Sequence, residues 1–312
     1  MNSLYTRVIT SGEFMGFNRF SKFGDFEGVS DRRGHSLESA KECKEVQAVI
    51  FDWAGTTVDY GCFAPVQAFV GIFRIRGIDI TIKEAREPMG LLKMDHIMEL
   101  LKMKRISNLW IAKFGKEPDE RDLKSLYMDF EALLFKVLKE NAKPIPGVIE
   151  LVSRLRQQGI KIGSTTGYTR EMIDVVKQEA EKWGYQPDSI VASTEVPTGR
   201  PAPWMCFKTA INLQVYPLSK IVKVGDTISD IKEGISAGMW TVAVLKGGSE
   251  IGLSEAEINE MDPYDLQKRM KHAENRFWNA GADFVIDDIG DLLEIIDRIN
   301  YRLTEKKDLF IG

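Results

Sequence analysis

The sequence predicts an α/β protein with a doubly wound, mostly parallel sheet and an all-helical block inserted after the first strand. Two observations predict this fold. From residue 141 onward, short β-rich runs alternate with helical segments, which is the pattern of a parallel sheet covered by helices. Between residues 62 and 140 only helical periodicity occurs, so we expect this stretch to lie outside the sheet.

The first strand is predicted over residues 46–52, a short β-rich run that ends in Asp52. One strand needs neighbours to pair with, so we expect it to join the sheet formed by the later part of the chain. This reasoning predicts a core domain made of residues 45–61 and 141–312. Residues 62–140 are then predicted to form a cap domain.

Helices are predicted along the whole insertion. Apolar residues recur on one face over residues 63–77, and Thr81 with Glu84 three positions later forms a capping box that opens a second helix. A third helix is expected over 91–101. The strongest periodicity lies over 119–140, where a wide apolar face indicates a long amphipathic helix.

Strands and helices alternate in the second half of the chain. Strands are predicted over 160–165, 189–192, 221–224, 240–245 and 284–286. Helices are predicted over 148–158, 169–183, 204–213, 228–236 and 292–301. Gly159, Gly184 and Gly238 follow three of these helices, at the position where a glycine commonly ends a helix.

The composition excludes several classes of function. The chain has 312 residues, enough for about two domains. Its net charge of −4 gives no attraction for nucleic acid or for an anionic membrane. No apolar run approaches the roughly 18 residues of a membrane span. Three cysteines argue against a disulfide framework and favour a reducing, cytoplasmic compartment.

Residues 1–44 are predicted to be a flexible N-terminal extension. They show no sustained helical or strand period, and five glycines interrupt them. Balanced acidic and basic residues do not fit a transit peptide, and a signal peptide needs a continuous apolar stretch. A start site placed too far upstream would explain the same composition. The phenylalanines that recur every three residues over 14–26 leave open a segment that binds a partner.

Polar groups follow the strands at the edge where parallel sheets bind ligands. Taken singly, each of them more often caps a helix or a turn. Because they converge on one edge of the sheet, we interpret them as a site. The residues of this predicted site are Asp52, Thr166, Gly167, Arg200, Asp226 and Asp230.

These residue types indicate phosphoryl chemistry. Carboxylates such as Asp226 are the hard oxygen ligands that Mg²⁺ prefers. Thr166 and the Gly167 amide are expected at a helix N-terminus, where free N–H groups hold a phosphoryl oxygen, and Arg200 could pair with phosphoryl oxygens. A carboxylate that attacks phosphorus beside a metal is a known covalent strategy, which Asp52 could follow.

These segments resemble the motifs of the haloacid dehalogenase superfamily. Longer strings, over 51–62, 88–96 and 163–170, resemble the phosphonatase family within it. The resemblance runs from about residue 45 to near the C-terminus. It implies a haloacid dehalogenase-like core with a Rossmann-like sheet, a helical cap, and hydrolysis of the carbon–phosphorus bond of phosphonoacetaldehyde to acetaldehyde and phosphate.

The resemblance also implies roles for individual residues. The catalytic roles are Asp52 as nucleophile, Lys93 as the imine-forming (Schiff-base) lysine, and His96 as a proton shuttle or, alternatively, a packing residue. Mg²⁺ is expected on Asp52, the backbone oxygen of Ala54 and Asp226, with Asp230 as a further ligand or directly behind them. Phosphoryl binding is expected of Thr166, Gly167 and Arg200, and the site is expected to be lined by Cys62, Met89 and Tyr168.

Ala54 supports this assignment on chemical grounds. Phosphatases of the superfamily usually carry an aspartate two residues after the nucleophile, and it protonates an alkoxide leaving group. Alanine at that position leaves an ordinary phosphate ester without its acid. Cleavage of a carbon–phosphorus bond expels a carbanion instead, which needs an electron sink, and an imine on Lys93 is such a sink because it becomes an enamine.

The sequence leaves two alternative functions open, and the resemblance also implies a partner. A Mg²⁺-dependent phosphatase or phosphomutase acting on a phosphate ester is opposed by Ala54 and Lys93. A non-catalytic binding protein could use the same fold. The resemblance implies a homodimer formed through the cap helices, with a small phosphonate as substrate and a transaminase of 2-aminoethylphosphonate as its source.

Overall fold

A computed structural model describes residues 45–89 and 91–308, so the predicted extension over 1–44 lies outside the described residues. The described part contains one six-stranded sheet in which every neighbouring pair is parallel. In sheet order the strands are β3 (Ser189–Ala192), β2 (Lys161–Thr166), β1 (Ala48–Phe51), β4 (Ile221–Gly225), β5 (Trp240–Val244) and β6 (Phe284–Ile286). The predicted parallel α/β fold is confirmed.

The order of the strands determines where a ligand can bind. Residues of β1 are buried on both faces, as expected for a central parallel strand covered by helices. The chain moves outward from β1 to β3 on one side and from β4 to β6 on the other, so the order reverses between β1 and β4. A crevice at such a point opens beyond the carboxyl ends of the strands. Asp52 and Asp226 directly follow these two strands.

Five helices lie between β1 and β2 before the first helix that covers the sheet. These inserted helices are α1 (Phe63–Ile75), α2 (Ile82–Arg86), α3 (Lys93–Lys102), α4 (Lys104–Phe114) and α5 (Glu120–Val137). Thr81 and Glu84 form the predicted capping box at α2, and Asp119 caps α5 in the same way. The sequence did not separate α4 from the neighbouring helices. Its buried side chains are only Ile106 and Trp110, which leaves a weak periodic signal.

The remaining helices cover the sheet. They are α6 (Val148–Gln157), α7 (Arg170–Glu181), α8 (Trp204–Leu213), α9 (Ile228–Ala237), α10 (Glu255–Glu260), α11 (Pro263–Ala280) and α12 (Leu292–Asp308). No element was predicted over the region that forms α10 and α11. α11 buries only Ala273 and Phe277, so its apolar face is too sparse to stand out. None of the described helices combines the length and apolar character needed to cross a bilayer.

The chain enters and leaves the inserted helices through two adjacent segments. Val58 and Pro144 form an antiparallel bridge, and the Ile145 N–H donates to the Thr57 carbonyl at 2.9 Å. Within the insertion, α1 packs along α5, and the rings of Phe69 and Phe130 stack with centroids 4.4 Å apart. The inserted helices are therefore anchored close to the carboxyl end of β1, immediately beside Asp52.

Candidate active site

A small cavity lies where the inserted helices meet the carboxyl edge of the sheet. Its volume is about 30 Å³. Nine of its lining residues are ones that the sequence singled out: Asp52, Ala54, Cys62, Met89, Lys93, Thr166, Gly167, Tyr168 and Arg200. Asp226 and Asp230 lie directly behind this cavity, within reach of Asp52. Residues that precede the inserted helices in sequence, belong to them and follow them therefore line one cavity.

Asp52 is held in place from two directions. Its backbone N–H donates to the Val224 carbonyl at 2.9 Å, and the Thr57 hydroxyl donates to its carbonyl at 3.0 Å. Nη2 of Arg200 donates to Asp52 Oδ1 at 2.6 Å. Burial raises the pKa of the Asp52 carboxyl, while the Arg200 charge opposes that rise. The carboxylate is therefore buried, oriented and paired with a cation.

Asp226 is the second buried carboxylate of the site. Its Oδ2 accepts hydrogen bonds from the Ser249 N–H and hydroxyl at 2.8 and 2.7 Å, and its Oδ1 accepts one from Thr56 at 3.1 Å. Burial and the charges of Asp52 and Asp230 raise the pKa of Asp226 to about 7. Gly55 leaves room for this carboxylate, because a Cβ there would overlap it.

The carboxylates of Asp52, Asp226 and Asp230 suit a divalent cation. One oxygen of each lies within 4.8 Å of the others, and all three side chains are buried. The excess of negative charge supports the same reading. The buried charged side chains of this region are five carboxylates and three cations: Asp52, Asp59, Asp226, Asp230 and Glu233, with Lys93, Arg200 and Lys223. A hard divalent cation such as Mg²⁺ would balance them.

Arg200 joins Asp52 to a buried ionic network. Its Nε donates to Glu233 at 2.9 Å, and its Nη1 lies 3.1 Å from Asp230 Oδ1. Lys223 lies behind it and donates to Asp230 at 2.8 Å. Sequence reasoning missed Lys223 and Glu233. A lysine within the otherwise apolar run of β4 was a signal that could have found the first of them.

The turn after β2 has the composition expected of a phosphoryl-binding loop. The Thr166 hydroxyl accepts a hydrogen bond from the Tyr168 N–H at 3.1 Å. The expectation that Thr166 and Gly167 begin a helix was wrong. Helix α7 begins at Arg170 and is capped by Thr169, whereas Thr166 is the last residue of β2 and Gly167 lies in the turn between the strand and the helix. A turn lets the Gly167 backbone come close to a ligand, since glycine carries no side chain.

Lys93 reaches the cavity from the insertion. It is the first residue of α3, and its Nζ lies 5.3 Å from the centre of the Tyr168 ring. Burial lowers the pKa of the Lys93 ammonium, with the Cys62 and Asp52 side chains opposing that change. The positive end of the α3 dipole also disfavours a cation at this position. These effects favour the neutral amine, which is the nucleophilic form.

His96 lies one turn further along α3 and outside the cavity lining. Its ring stacks on Phe69 with centroids 3.7 Å apart, and Nε2 lies 2.9 Å from the Ala85 carbonyl, to which it donates. Among the described residues Nδ1 has no hydrogen-bond partner. Burial and the nearby Lys93 place the pKa of His96 well below its usual value. This environment suits the packing alternative better than the shuttle.

The loop before α3 rests against two glycines of the core. Leu92 contacts Gly199 so closely that a Cβ on the glycine would lie 2.7 Å from Leu92 Cδ2. A Cβ on Gly167 would lie 3.5 Å from the Leu91 carbonyl oxygen. Leu92 precedes Lys93, and Gly199 precedes Arg200. The contact therefore connects the start of α3, which carries Lys93, with the segment of the core that carries Arg200.

Comparison with known proteins identifies close relatives of this chain. A family model described as haloacid dehalogenase-like hydrolase matches residues 46–238. A phosphonoacetaldehyde hydrolase from Bacillus mycoides strain KBAB4 is 54% identical over 268 residues, which is 86% of this chain and 100% of the relative. A bifunctional phosphonoacetaldehyde hydrolase/aminoethylphosphonate transaminase from Clostridioides difficile strain 630 is 55% identical over 82% of this chain and 40% of its own length.

One solved structure is similar to this chain in both sequence and fold. It is a phosphonoacetaldehyde hydrolase-like protein from Oleispira antarctica, with a TM-score of 0.82 and 42% identity. The similarity covers 83% of this chain and 94% of that one. The likeness therefore extends over most of both chains.

Proposed function

Since the chain belongs to the phosphonoacetaldehyde hydrolases, a family of haloacid dehalogenase-like hydrolases, we infer that it hydrolyses the carbon–phosphorus bond of phosphonoacetaldehyde to acetaldehyde and phosphate. We propose that the reaction passes through an imine on Lys93 and an aspartyl phosphate on Asp52. The observation that carries this mechanism is that both side chains line one cavity of about 30 Å³. Phosphonoacetaldehyde has an aldehyde group to which the Lys93 amine can add and a phosphorus atom that the Asp52 carboxylate can attack.

The two groups act in sequence. The Lys93 amine adds to the aldehyde carbon, and loss of water leaves a protonated imine. The Asp52 carboxylate then attacks phosphorus, and the electron pair of the carbon–phosphorus bond moves into the imine to form an enamine. Protonation and hydrolysis of the enamine release acetaldehyde and free Lys93. Water then hydrolyses the aspartyl phosphate, which releases phosphate and regenerates the Asp52 carboxylate.

The charged groups around phosphorus would stabilise this transfer. Arg200 is placed to exchange its Asp52 contact for a phosphoryl oxygen, and the turn at Thr166 offers a hydroxyl and backbone amides. We propose that Mg²⁺ is held by Asp52, Asp226 and the Ala54 carbonyl, with Asp230 as a ligand or directly behind them. When bound, this cation neutralises charge that develops on the phosphoryl oxygens.

The affinity for Mg²⁺ should depend on pH because of Asp226. The pKa of this carboxyl is raised to about 7, so below that pH it binds a proton that the metal must displace. We expect the affinity to fall about tenfold for each pH unit below about 7 and to level off above it. Calorimetric titration of the protein with Mg²⁺ between about pH 5.5 and 8 measures this dependence. An affinity that is constant over this range would contradict the assignment of Asp226 as a ligand.

The proposed reaction is tested directly by following both products. We expect acetaldehyde and phosphate to be released in equal amounts from phosphonoacetaldehyde in the presence of Mg²⁺. Borohydride added during turnover should reduce the imine, and peptide mass mapping should locate the adduct on Lys93. If p-nitrophenyl phosphate were hydrolysed as efficiently and no adduct formed, the protein would act as a phosphatase instead.

The size of the cavity implies that the site opens. A cavity of about 30 Å³ has room for roughly two water molecules, which is too little for phosphonoacetaldehyde. We propose that residues 62–140 form a cap domain that moves away from the core, made of residues 45–61 and 141–312, to admit substrate. Closure would then bring Lys93 to Asp52 and exclude water.

The contact between Leu92 and Gly199 offers a test of closure. A Gly199→Ala substitution adds a Cβ 2.7 Å from Leu92 Cδ2, which should push the start of α3 away from the core. We expect kcat/KM to fall about threefold to tenfold because the imine lysine is displaced. Steady-state kinetics measures this loss. Gly290→Ala is the matched control, because a Cβ there meets no atom within 4 Å. Equal kinetics of the two variants would contradict the role of this contact.

We further propose that the protein is a cytoplasmic homodimer that associates through its inserted helices. Cys62 and Cys206 are free thiols, which suits a reducing compartment. The inserted helices carry exposed apolar side chains that a partner could cover: Ile75, Ile82, Leu109, Ile111, Phe114, Met128 and Phe135. Light scattering coupled to size-exclusion chromatography measures the mass, and a monomer would refute this assembly.

A further inference from the structure

Two buried charged side chains, Lys223 and Glu233, lie behind Arg200, and the packing of the fold alone does not require a charge at either position. We propose that Lys223 and Glu233 are positioning residues, which hold Arg200 towards the phosphoryl group and set the charge that this group meets. Neither of them lines the cavity, so each acts through Arg200 and its neighbours. The inference rests on the proposed function only in taking the phosphoryl group of the substrate as the anion that Arg200 binds.

Lys223 is completely buried in the middle of the sheet. Its Nζ donates to the Thr165 hydroxyl at 3.0 Å and to Asp230 Oδ1 at 2.8 Å, and lies 3.4 Å from Glu233 Oε2. Burying an ammonium group costs several kcal/mol unless charged partners surround it. A leucine or valine at this position of an apolar strand would avoid that cost. The lysine therefore has a purpose other than the packing of β4.

Glu233 is equally buried on α9 and faces the same point. Its Oε2 accepts the hydrogen bond from Arg200 Nε at 2.9 Å and lies 3.3 Å from the Thr165 hydroxyl. Its Oε1 has no hydrogen-bond partner among the described residues. A carboxylate with one unpaired oxygen is a poor structural anchor. Its contact with Arg200 is thus the best reason for its presence.

Small residues make room for both side chains. A Cβ on Gly234, in α9, would lie 3.0 Å from Cβ of Lys223, so this glycine lets the helix approach the lysine stem. A Cβ on Gly225 would overlap Asp230, the second carboxylate that Lys223 contacts. These glycines therefore let β4 and α9 approach each other closely with the buried ion pairs between them.

The geometry separates two tasks of the Arg200 guanidinium. Nη2 donates to Asp52 at 2.6 Å and to the Thr165 carbonyl and hydroxyl at 3.0 Å, and its bond to Asp52 is the one that a phosphoryl oxygen can replace. Nε and Nη1 are held from behind by Glu233 and Asp230 at 2.9 and 3.1 Å. These two contacts can persist while Nη2 changes its partner. Glu233 consequently keeps the plane of the guanidinium fixed throughout the reaction.

Lys223 balances part of the negative charge behind Arg200 and so sets the net charge that a bound anion meets. The negative charges of Asp230 and Glu233 together equal the positive charges of Arg200 and Lys223. Without the lysine, the two carboxylates would exceed the charge of Arg200 and repel a phosphoryl dianion. Without the negative charge of Glu233, the remaining charges of Arg200, Lys223 and Asp230 would sum to a positive charge and would attract the dianion. The two substitutions should therefore change anion binding in opposite directions.

The experiment measures binding of inorganic phosphate to the full-length protein by calorimetry, with Mg²⁺ present. We expect Lys223→Met to weaken phosphate binding about tenfold and Glu233→Gln to strengthen it about tenfold. The double variant restores the charge balance and should bind phosphate about as the unaltered protein does. Glu233→Gln should nevertheless lower kcat, because a neutral amide orients Arg200 less firmly than a carboxylate.

Thr241→Val is the matched control. Thr241 is the register partner of Lys223 on β5, is equally buried, and bonds to Asp283, away from the site. Its loss should lower the thermal unfolding temperature and leave phosphate binding unchanged.

Three outcomes would overturn the proposal. They are an unaltered protein that binds no phosphate, shifts of the same sign in both single variants, and a double variant weaker than either single one. Damage to the fold would weaken binding in both single variants, so the opposite signs separate positioning from structure. If phosphonoacetaldehyde were not turned over while the signs held, the proposed substrate would fail and this inference would stand.

Discussion

Replacing Lys93 by arginine should abolish hydrolysis of phosphonoacetaldehyde, with a loss of at least about a thousandfold in kcat. A guanidinium group remains protonated at every accessible pH and has no free electron pair to add to the aldehyde. The carbon–phosphorus bond would then break without an electron sink. Coupled detection of acetaldehyde measures the loss, and borohydride treatment followed by mass mapping should find no adduct at this position.

The control for this substitution lies on the same helix. Lys102, at the opposite end of α3, is exposed and pairs with Glu99 at 2.8 Å, so Lys102→Arg should keep full activity. Lys102→Arg should unfold at about the temperature of the unaltered protein, since the residue is exposed and arginine retains its charge. Lys93→Arg should unfold at a somewhat lower temperature, because it places a permanent charge in a buried site that favours the neutral amine, and a thermal unfolding measurement checks that it is folded at the assay temperature. Near-normal turnover by Lys93→Arg would show that no imine is needed.

Replacing Asp52 by asparagine should remove phosphate release, by about ten-thousandfold or more. The amide is a poor nucleophile and cannot form the aspartyl phosphate. The Lys93 amine is unchanged in this variant, so the imine should still form and should accumulate. Borohydride should therefore label Lys93 in Asp52→Asn although no phosphate appears. Phosphate assays and mass mapping on the same sample measure both effects.

These two variants divide the reaction into its halves. Lys93→Arg should show neither adduct nor products, whereas Asp52→Asn should show the adduct alone. Asp174→Asn provides a carboxylate control, because Asp174 is a half-buried residue of α7 whose ion pair among the described residues is with Arg170, away from the cavity. Substantial phosphate release by Asp52→Asn would refute the covalent role of this carboxylate. An absent adduct in that variant would indicate that Asp52 also takes part in forming the imine.

Much of the fold could be predicted because buried parallel strands have a simple local signature. The strands at Ser189–Ala192 and Phe284–Ile286 are observed with the predicted bounds, and the others differ by one or two residues. The elements that were missed have weak signatures. α10 is six residues long, and α11 buries two side chains along 18 residues. Their helical form follows from capping by Ser254 and Asp262.

The candidate site was predictable in part for a different reason. The rule that ligands bind beyond the strand ends pointed to Asp52, Arg200 and Asp226 without any knowledge of contacts. Lys93 and His96 lie on no strand, so only the family resemblance indicated them. Periodicity places both on one helical face, yet the structure gives them different surroundings: Lys93 lines the cavity and His96 packs on Phe69.

The order of residues along the chain therefore established the elements, the strand ends and the chemical groups that this protein can use. It could not establish which groups meet. Arg200 contacts Asp52 across 148 residues of sequence, and Thr56 contacts Asp226 across 170. Burial, charge pairing and the pKa values that follow from them depend on such distant neighbours, because electrostatic energies vary with distance and exposure to water. For that reason the roles of Lys223 and Glu233 emerged only once the sheet and α9 were assembled.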